Sequence, residues 1–265
     1  METSKLTGNR IKEYLALGKR FDGRKLDEFR EVIIETGISK NAEGSAKVKM
    51  GKTEVLVGIK MRVSEPYPDS PDKGNLMVTA ELLPLSSSRF ELGPPKIESI
   101  ELARVLDRAI RESKFIDLEK LCIKKGEKVW TIFIDIYSIN AGGNLLDAVG
   151  IGIVAALKNS KIPKYDEKNE KVLFGELSDK TLSLKKEIPL SITVYKIGEN
   201  LVVDPTQEEE DISDTRVTIG SHDGIISSMQ KGKSEALSEE EMYEVLDLNE
   251  KVWKKLFSDI EKDLK

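Results

Sequence analysis

Ile139-Asn140-Ala141-Gly142-Gly143-Asn144-Leu145-Leu146-Asp147 joins a strand to a helix through a pair of glycines. Upstream, Trp130 to Tyr137 is rich in β-branched and aromatic residues and reads as a buried strand. Downstream, Leu145 to Leu157 reads as an apolar helix, with Ala148, Gly150, Gly152, Ala155 and Ala156 small enough for close packing. A strand–Gly-Gly–helix turn aims free backbone N–H groups and a positive dipole end at one point, which suits an anion such as phosphate. Yet no hydroxyl or cationic side chain follows the glycines, and Asp147 puts a carboxylate in the first helical turn. Two readings stay open. The turn is a phosphate cradle without its side chains, or it is a packing corner in which Gly142 and Gly143 supply permissive φ angles and Asp147 neutralises its own helix dipole.

Working outward, a short amphipathic helix spans residues 9 to 17 and stops at Gly18. Arg20-Phe21-Asp22-Gly23-Arg24 is a turn bracketed by arginines. Strands are expected at Phe29 to Thr36, Gly44 to Met50 and Thr53 to Arg62, the last two joined by a Gly51-Lys52 hairpin turn. A proline-rich loop (66 to 74), a strand from Leu76 to Leu83, a helix from Ile97 to Phe115 and a strand near Leu121 to Ile123 lead back to the opening turn. Beyond it come strands at Ile188 to Ile197, Asn200 to Val203, Arg216 to Gly220 and Gly224 to Gln230. Asp204 to Asp214 is expected as a solvated acidic loop. A final helix starts near Glu239, with Ser238 and Glu241 at capping-box spacing and an apolar stripe of Met242, Val245, Val252, Leu256 and Ile260 for the core. The expected organisation is α+β: an N-terminal helical extension (1–27), a first β-α module (28–160), a charged linker (161–187) and a second β-α module (188–265). The shared order of strands followed by a helix suggests a duplicated module.

At 265 residues the chain could form one large domain or two ordinary ones, and 39% hydrophobic residues can build real cores. No apolar run approaches the ~18 residues of a membrane span, and the amino-terminal stretch is charged rather than signal-like. We therefore expect no membrane association and a cytoplasmic location. The single cysteine, Cys122, excludes an intrachain disulfide and, flanked by Leu121 and Ile123, reads as a buried structural thiol. The single histidine, His222, lies in Gly220-Ser221-His222-Asp223-Gly224, a turn between strands. One histidine leaves little scope for histidine-based metal sites or triads, and neither a metal nor another cofactor is expected. Charged residues make up 34% of the chain, which fits surface ion-pair networks of a heat-adapted protein. A net charge of -5 argues against indiscriminate coating of nucleic acid but permits a local basic patch.

Such a patch is visible between Glu98 and Arg111. Arg104, Arg108 and Arg111 fall at i, i+4 and i+7, one narrow stripe opposite Leu102, Leu106 and Ala109. Glu101 and Asp107 are spaced to pair with them along the helix, giving a solvated ion-paired face. Three planar guanidinium groups on one face equally suit phosphate recognition, where bidentate geometry favours Arg over Lys.

Asp22-Gly23-Arg24, Gly44-Ser45-Ala46-Lys47-Val48, Asn75-Leu76-Met77-Val78, Glu81-Leu82-Leu83-Pro84-Leu85, Gly93-Pro94-Pro95, Ile100-Glu101-Leu102-Ala103-Arg104, Gly142-Gly143-Asn144 and Val203-Asp204-Pro205-Thr206 occur in this order. In these motifs the chain closely resembles the RNase PH-like family, and within it the non-catalytic ring subunits of the archaeal exosome, from about residue 10 to the end. The resemblance implies the RNase PH-like fold of two β-α modules. It implies a six-membered ring of three heterodimers with a catalytic RNase PH-like paralogue, RNA-binding cap proteins on the ring and single-stranded RNA in its pore. Active members carry Ser or Thr and then Arg after the glycine pair, to bind the attacking phosphate; Asn144 and Leu145 stand there instead. They also carry a second-module aspartate where, by approximate alignment, Arg216 falls. The resemblance thus implies a degenerate phosphate-site turn at Gly142, Gly143 and Asn144, no catalytic residue in this chain, and RNA binding by Arg104 and Arg108, with Arg111 one turn further along. A self-sufficient phosphorolytic 3′→5′ exoribonuclease and a purely structural ring member without RNA contact are the alternatives.

Overall fold

Hydrophobic alternation builds the first module. In the computed structural model, which describes residues 3–166 and 168–264, β1 (Val32–Thr36), β2 (Gly44–Met50), β3 (Thr53–Ser64), β4 (Asn75–Leu82), β5 (Cys122–Lys124) and β6 (Lys128–Asn140) form one sheet. Its order is β1-β2-β3-β6-β4, with β5 on β6; only β4 runs parallel to its neighbour. Along β3, Val55, Val57, Ile59 and Met61 turn one buried row inward, the period-2 pattern of a strand with one core face. Gly51, at φ 56°, makes the tight β2–β3 turn.

Two helices cover that face. α2 (Ile97–Glu112) lies against β4, and α3 (Leu145–Lys158) follows the Gly-Gly turn. Every residue of α3 from Leu146 to Leu157 is buried, because the helix also meets the second module. A Cβ added at Gly152 would lie 2.9 Å from Val57 of β3, and one at Gly150 would lie 3.3 Å from Ser191 of the other sheet. The small residues let α3 sit between two sheets.

The second sheet, β10-β9-β11-β12, is antiparallel throughout: β9 (Leu190–Ile197), β10 (Asn200–Val203), β11 (Thr215–His222) and β12 (Ile225–Gly232). His222 ends β11 at the expected turn, where Asp223 and Gly224 both take positive φ. α5 (Glu239–Ile260) packs on β9 with Val245, Val252, Leu256 and Ile260 buried, and Ser238 and Glu241 form its capping box. α1 (Lys5–Ala16) begins earlier than its apolar pattern suggests, because the Ser4 hydroxyl caps it by accepting from the Thr7 N–H. Its Ile11 and Leu15 join Ile197 and Val202 in a small satellite core.

Three local expectations change. The stretch read as a charged linker folds as a hairpin of β7 (Lys161–Asp166) and β8 (Lys171–Thr181); Ile162, Tyr165 and Val172 anchor it on the main core while its charges face water. The acidic loop contains a helix, α4 (Gln207–Ile212). Cys122 is half-buried, since it lies on the peripheral strand β5.

Candidate functional site

The arginine stripe divides into free and committed groups. α2 buries Leu102, Leu106 and Ala109 and leaves Arg104 and Arg108 exposed. Arg104 makes no hydrogen bond or ion pair among the described residues, and Arg108 makes one 3.3 Å hydrogen bond to Gln230 Oε1 of β12. Arg111 is engaged: its fork grips the Asp107 carboxylate (2.7 and 3.1 Å) and donates to the Leu76 carbonyl. The hydrogen bond to Asp107 raises its pKa further. Glu101 does not pair along the helix. It reaches across to Arg216 of β11 at 2.7 Å.

Around the Gly-Gly turn, close backbone approach explains the glycines. Gly143 has φ 92°, and a Cβ there would lie 2.6 Å from the Pro205 carbonyl. A Cβ at Gly142 would lie 2.9 Å from Lys52 Cβ. Neither neighbouring backbone can yield cheaply. The carbonyls of the turn are taken from behind: Arg30 donates to Gly142 O (2.9 Å) and Gly143 O (3.1 Å), and the Thr53 hydroxyl donates to Gly143 O (2.5 Å). Asn144, fully buried at φ 54°, closes the turn. Its side-chain amide donates to Asp147 Oδ2 (2.8 Å) and Asp204 Oδ1 (3.1 Å). Its backbone N–H donates to Glu210 Oε2 at 2.8 Å.

Asp147 is fully buried beneath this turn. It accepts from the Thr193 N–H (3.1 Å) and hydroxyl (2.8 Å) of β9 as well as from Asn144. Burial outweighs those hydrogen bonds and pushes its carboxyl up to about 7. Asp204, also buried, is clasped by Arg24 (2.9 Å) and by the Arg30 guanidinium (2.6 and 2.8 Å) and N–H. From the same arginine-rich segment, Arg20 pairs with Glu209 at 2.5 Å, both side chains almost wholly buried, and donates to the carbonyls of Val203 and Asp204.

These contacts correct the solvated reading of the acidic stretch. Thr206 and Glu209 form a capping box on α4, Glu209 faces Arg20, Glu210 faces the turn, and Asp211 takes two hydrogen bonds from Arg89. Burial raises the Asp211 pKa, but hydrogen bonds from Arg89, Thr3 and Gln207 outweigh it and hold the carboxyl at about 2. The Thr206-x-x-Glu209 spacing is the sequence signal for this helix. No local pattern announces the roles of Arg20, Arg24 and Arg30, whose carboxylate partners Glu209 and Asp204 lie more than 170 positions away.

A cleft of about 870 Å³ opens beside the start of α3, walled by Leu83, Phe90, Leu145 and Leu146, with Glu101, Glu210, Arg216 and Lys233 among its polar groups. Arg104 and Arg108 lie outside it. Leu145, at the position after Asn144, presents a hydrocarbon wall here. Among the described residues no group of three or more His, Cys, Asp or Glu side chains could hold a metal ion, and no helix is long and apolar enough to cross a membrane.

The chain matches the two domain models of one family: "3' exoribonuclease family, domain 1" over residues 28–163 and "3' exoribonuclease family, domain 2" over residues 187–252. It is 45% identical over 232 residues to the exosome complex component Rrp42 of Methanocella arvoryzae, covering 87% of this chain and 86% of that protein. Among solved structures it superposes on a chain of the Archaeoglobus fulgidus exosome with RNA bound to the active site, with a TM-score of 0.84 and 44% identity over 92% of this chain and 93% of that one. An archaeal exosome core chain gives a TM-score of 0.82 at 41% identity, covering 95% and 94%. Two domain matches in order, near-complete relatives above 40% identity and the mixed α+β fold agree: the chain belongs to the RNase PH, or 3′ exoribonuclease, family.

Proposed function

We propose that this chain is a non-catalytic subunit of an exosome-type ring, pairing with a catalytic RNase PH-like paralogue and gripping RNA for 3′→5′ phosphorolytic degradation. The observation that carries the reading is the exposed Arg104–Arg108 pair, two guanidinium groups one helical turn apart with no carboxylate partner among the described residues. Structural arginines find an acid, as Arg111 does with Asp107 and Arg216 with Glu101. This pair is left for an external anion, and phosphodiester oxygens fit the planar fork. The likeness to exosome chains, one of them from a structure with RNA bound to the active site, supports RNA as that anion.

The chemistry falls to the partner. Phosphorolysis brings an anionic phosphate against an anionic phosphodiester, so the reaction depends on cations placed at the developing charge. Beside the Gly-Gly turn this chain offers Leu145 and a carboxylate, and Arg216 is neutralised by Glu101. Removing one preorganised electrostatic donor costs ~10²–10³ in rate, so the subunit contributes grip and shape. RNA-binding cap proteins and a cytoplasmic setting belong to the same reading.

The test is Arg104→Ala with Arg108→Ala in the ring reconstituted with its paralogue. RNA affinity should fall, and the slope of log K against log salt should flatten by ~0.7 for each phosphate of the single strand that the variant no longer neutralises. Unchanged affinity and slope would show that the pair does not touch RNA.

A further inference from the structure

We propose that the Glu210 carboxylate is a built-in occupant of the anion site at the start of α3, closing that site to free phosphate. The turn holds an anion at its last N–H: Glu210 Oε2 accepts the Asn144 N–H at 2.8 Å, and Oε1 accepts the hydroxyl of the buried Tyr195 at 3.4 Å. A carboxylate there also meets the positive end of α3. Two cations of the same cleft, Arg216 and Lys233, lie within electrostatic reach of it. The Lys233 ammonium additionally donates to the Glu210 backbone carbonyl at 2.5 Å. A backbone N–H and a hydroxyl hold the carboxylate, the Lys233 ammonium anchors the backbone of the same residue, and Arg216, itself paired with Glu101, adds to the positive field: an anion site filled from within.

The chain is shaped to deliver this occupant. Without a Cβ, Gly143 lets the 205–207 segment settle against the turn. The Thr206–Glu209 capping box and the Arg20–Glu209 pair then fix α4, so that Glu210 projects over Asn144. An intramolecular carboxylate forfeits no translational freedom on binding, whereas a free phosphate does. The turn is thus both stripped of its side chains and already occupied.

The experiment uses the full chain and inorganic phosphate at constant ionic strength, with binding read by calorimetry and by the thermal midpoint. Glu210→Ala should bind phosphate saturably, at least about tenfold tighter than wild type, a difference of about 1.4 kcal/mol. Glu210→Gln keeps an oxygen for the Asn144 N–H and should remain closed. Glu208→Ala removes the same charge from an exposed position of the same helix and should also show no gain. Equal phosphate binding by wild type and Glu210→Ala, or none by a folded Glu210→Ala, would overturn the proposal. If the alanine variant does not fold, the Asn144 amide resonance of the wild-type chain carries the test: a resonance unmoved by phosphate supports closure, and a phosphate-dependent shift overturns it. The measurement concerns the chain by itself, so ring pairing and RNA grip stand or fall separately.

Discussion

Asp147 has no exposed surface, yet its sequence position, the first turn of an apolar helix, suggests a carboxylate serving its own dipole. The difference arises because β9 of the second module packs over it, a contact 46 positions away that no helical periodicity encodes. The pH consequence has a definite sign. Its folded pKa is about 7 against an ordinary 3.8, so between those values the folded state holds a proton that the unfolded chain releases. The favourable contribution is complete below about pH 4, is lost as pH rises toward 7, and leaves a constant penalty above. Asp147→Asn should remove that slope. Its amide oxygen can take the Asn144 and Thr193 N–H donors while its NH₂ donates to the Thr193 hydroxyl, which turns to the Thr218 hydroxyl 3.0 Å away. Urea unfolding at pH 5 and pH 8 should show the variant gaining on wild type at the higher pH, by about 1.4 kcal/mol for each pH unit between 5 and the folded pKa of about 7. A wild-type stability that rises between those pH values through this site would contradict the assignment.

At the scale of elements, strands and long helices are legible where one face is apolar. The alternation in β2 and β3, the arginine-opposite-leucine periodicity of α2 and the capping box of α5 each encode their element within a few residues. α4, whose one local signal is its capping spacing, and the β7–β8 hairpin are easily missed for one shared reason: six residues with four acids, or a charged strand pair, carry too little apolar pattern to outweigh a solvated reading. Their order comes from long-range partners. The 20–30 segment acts on α4 through Arg20, which leaves Glu209 buried and charged if it is removed. Arg20→Ala should therefore cost about 3–5 kcal/mol in chemical unfolding. The double variant Arg20→Ala with Glu209→Ala should cost clearly less than the sum of the two single changes, since the stranded charge is gone. Additive losses would mean that the pair does not interact. At the candidate site, the exposed arginines of α2 can be read from spacing alone. The occupation of the Gly-Gly turn by Glu210 cannot, because it depends on a partner 66 positions further along the chain folding back.

For the whole molecule, the duplicated order of strands and helix suggests two modules separated near residue 161, but the buried core is continuous across them. Residues of both sheets, of α2, α3 and α5 belong to one apolar cluster. α3 has one flank on β2 and β3 and another on β9. Neither half can present a finished surface without the other, so thermal unfolding should be a single transition. The hairpin between them is the opposite case, since most of β8 is exposed, as are Lys168, Asn169 and Glu170 at its tip. A chain cut at that tip should yield two pieces that refold only together, monitored by co-purification and circular dichroism; a structured 1–166 fragment on its own would show that the shared helix is not required. A helix enclosed on both sides turns two joined modules into an obligate partnership: the peptide link between the halves should be dispensable for holding them together, whereas the single helix they share should not.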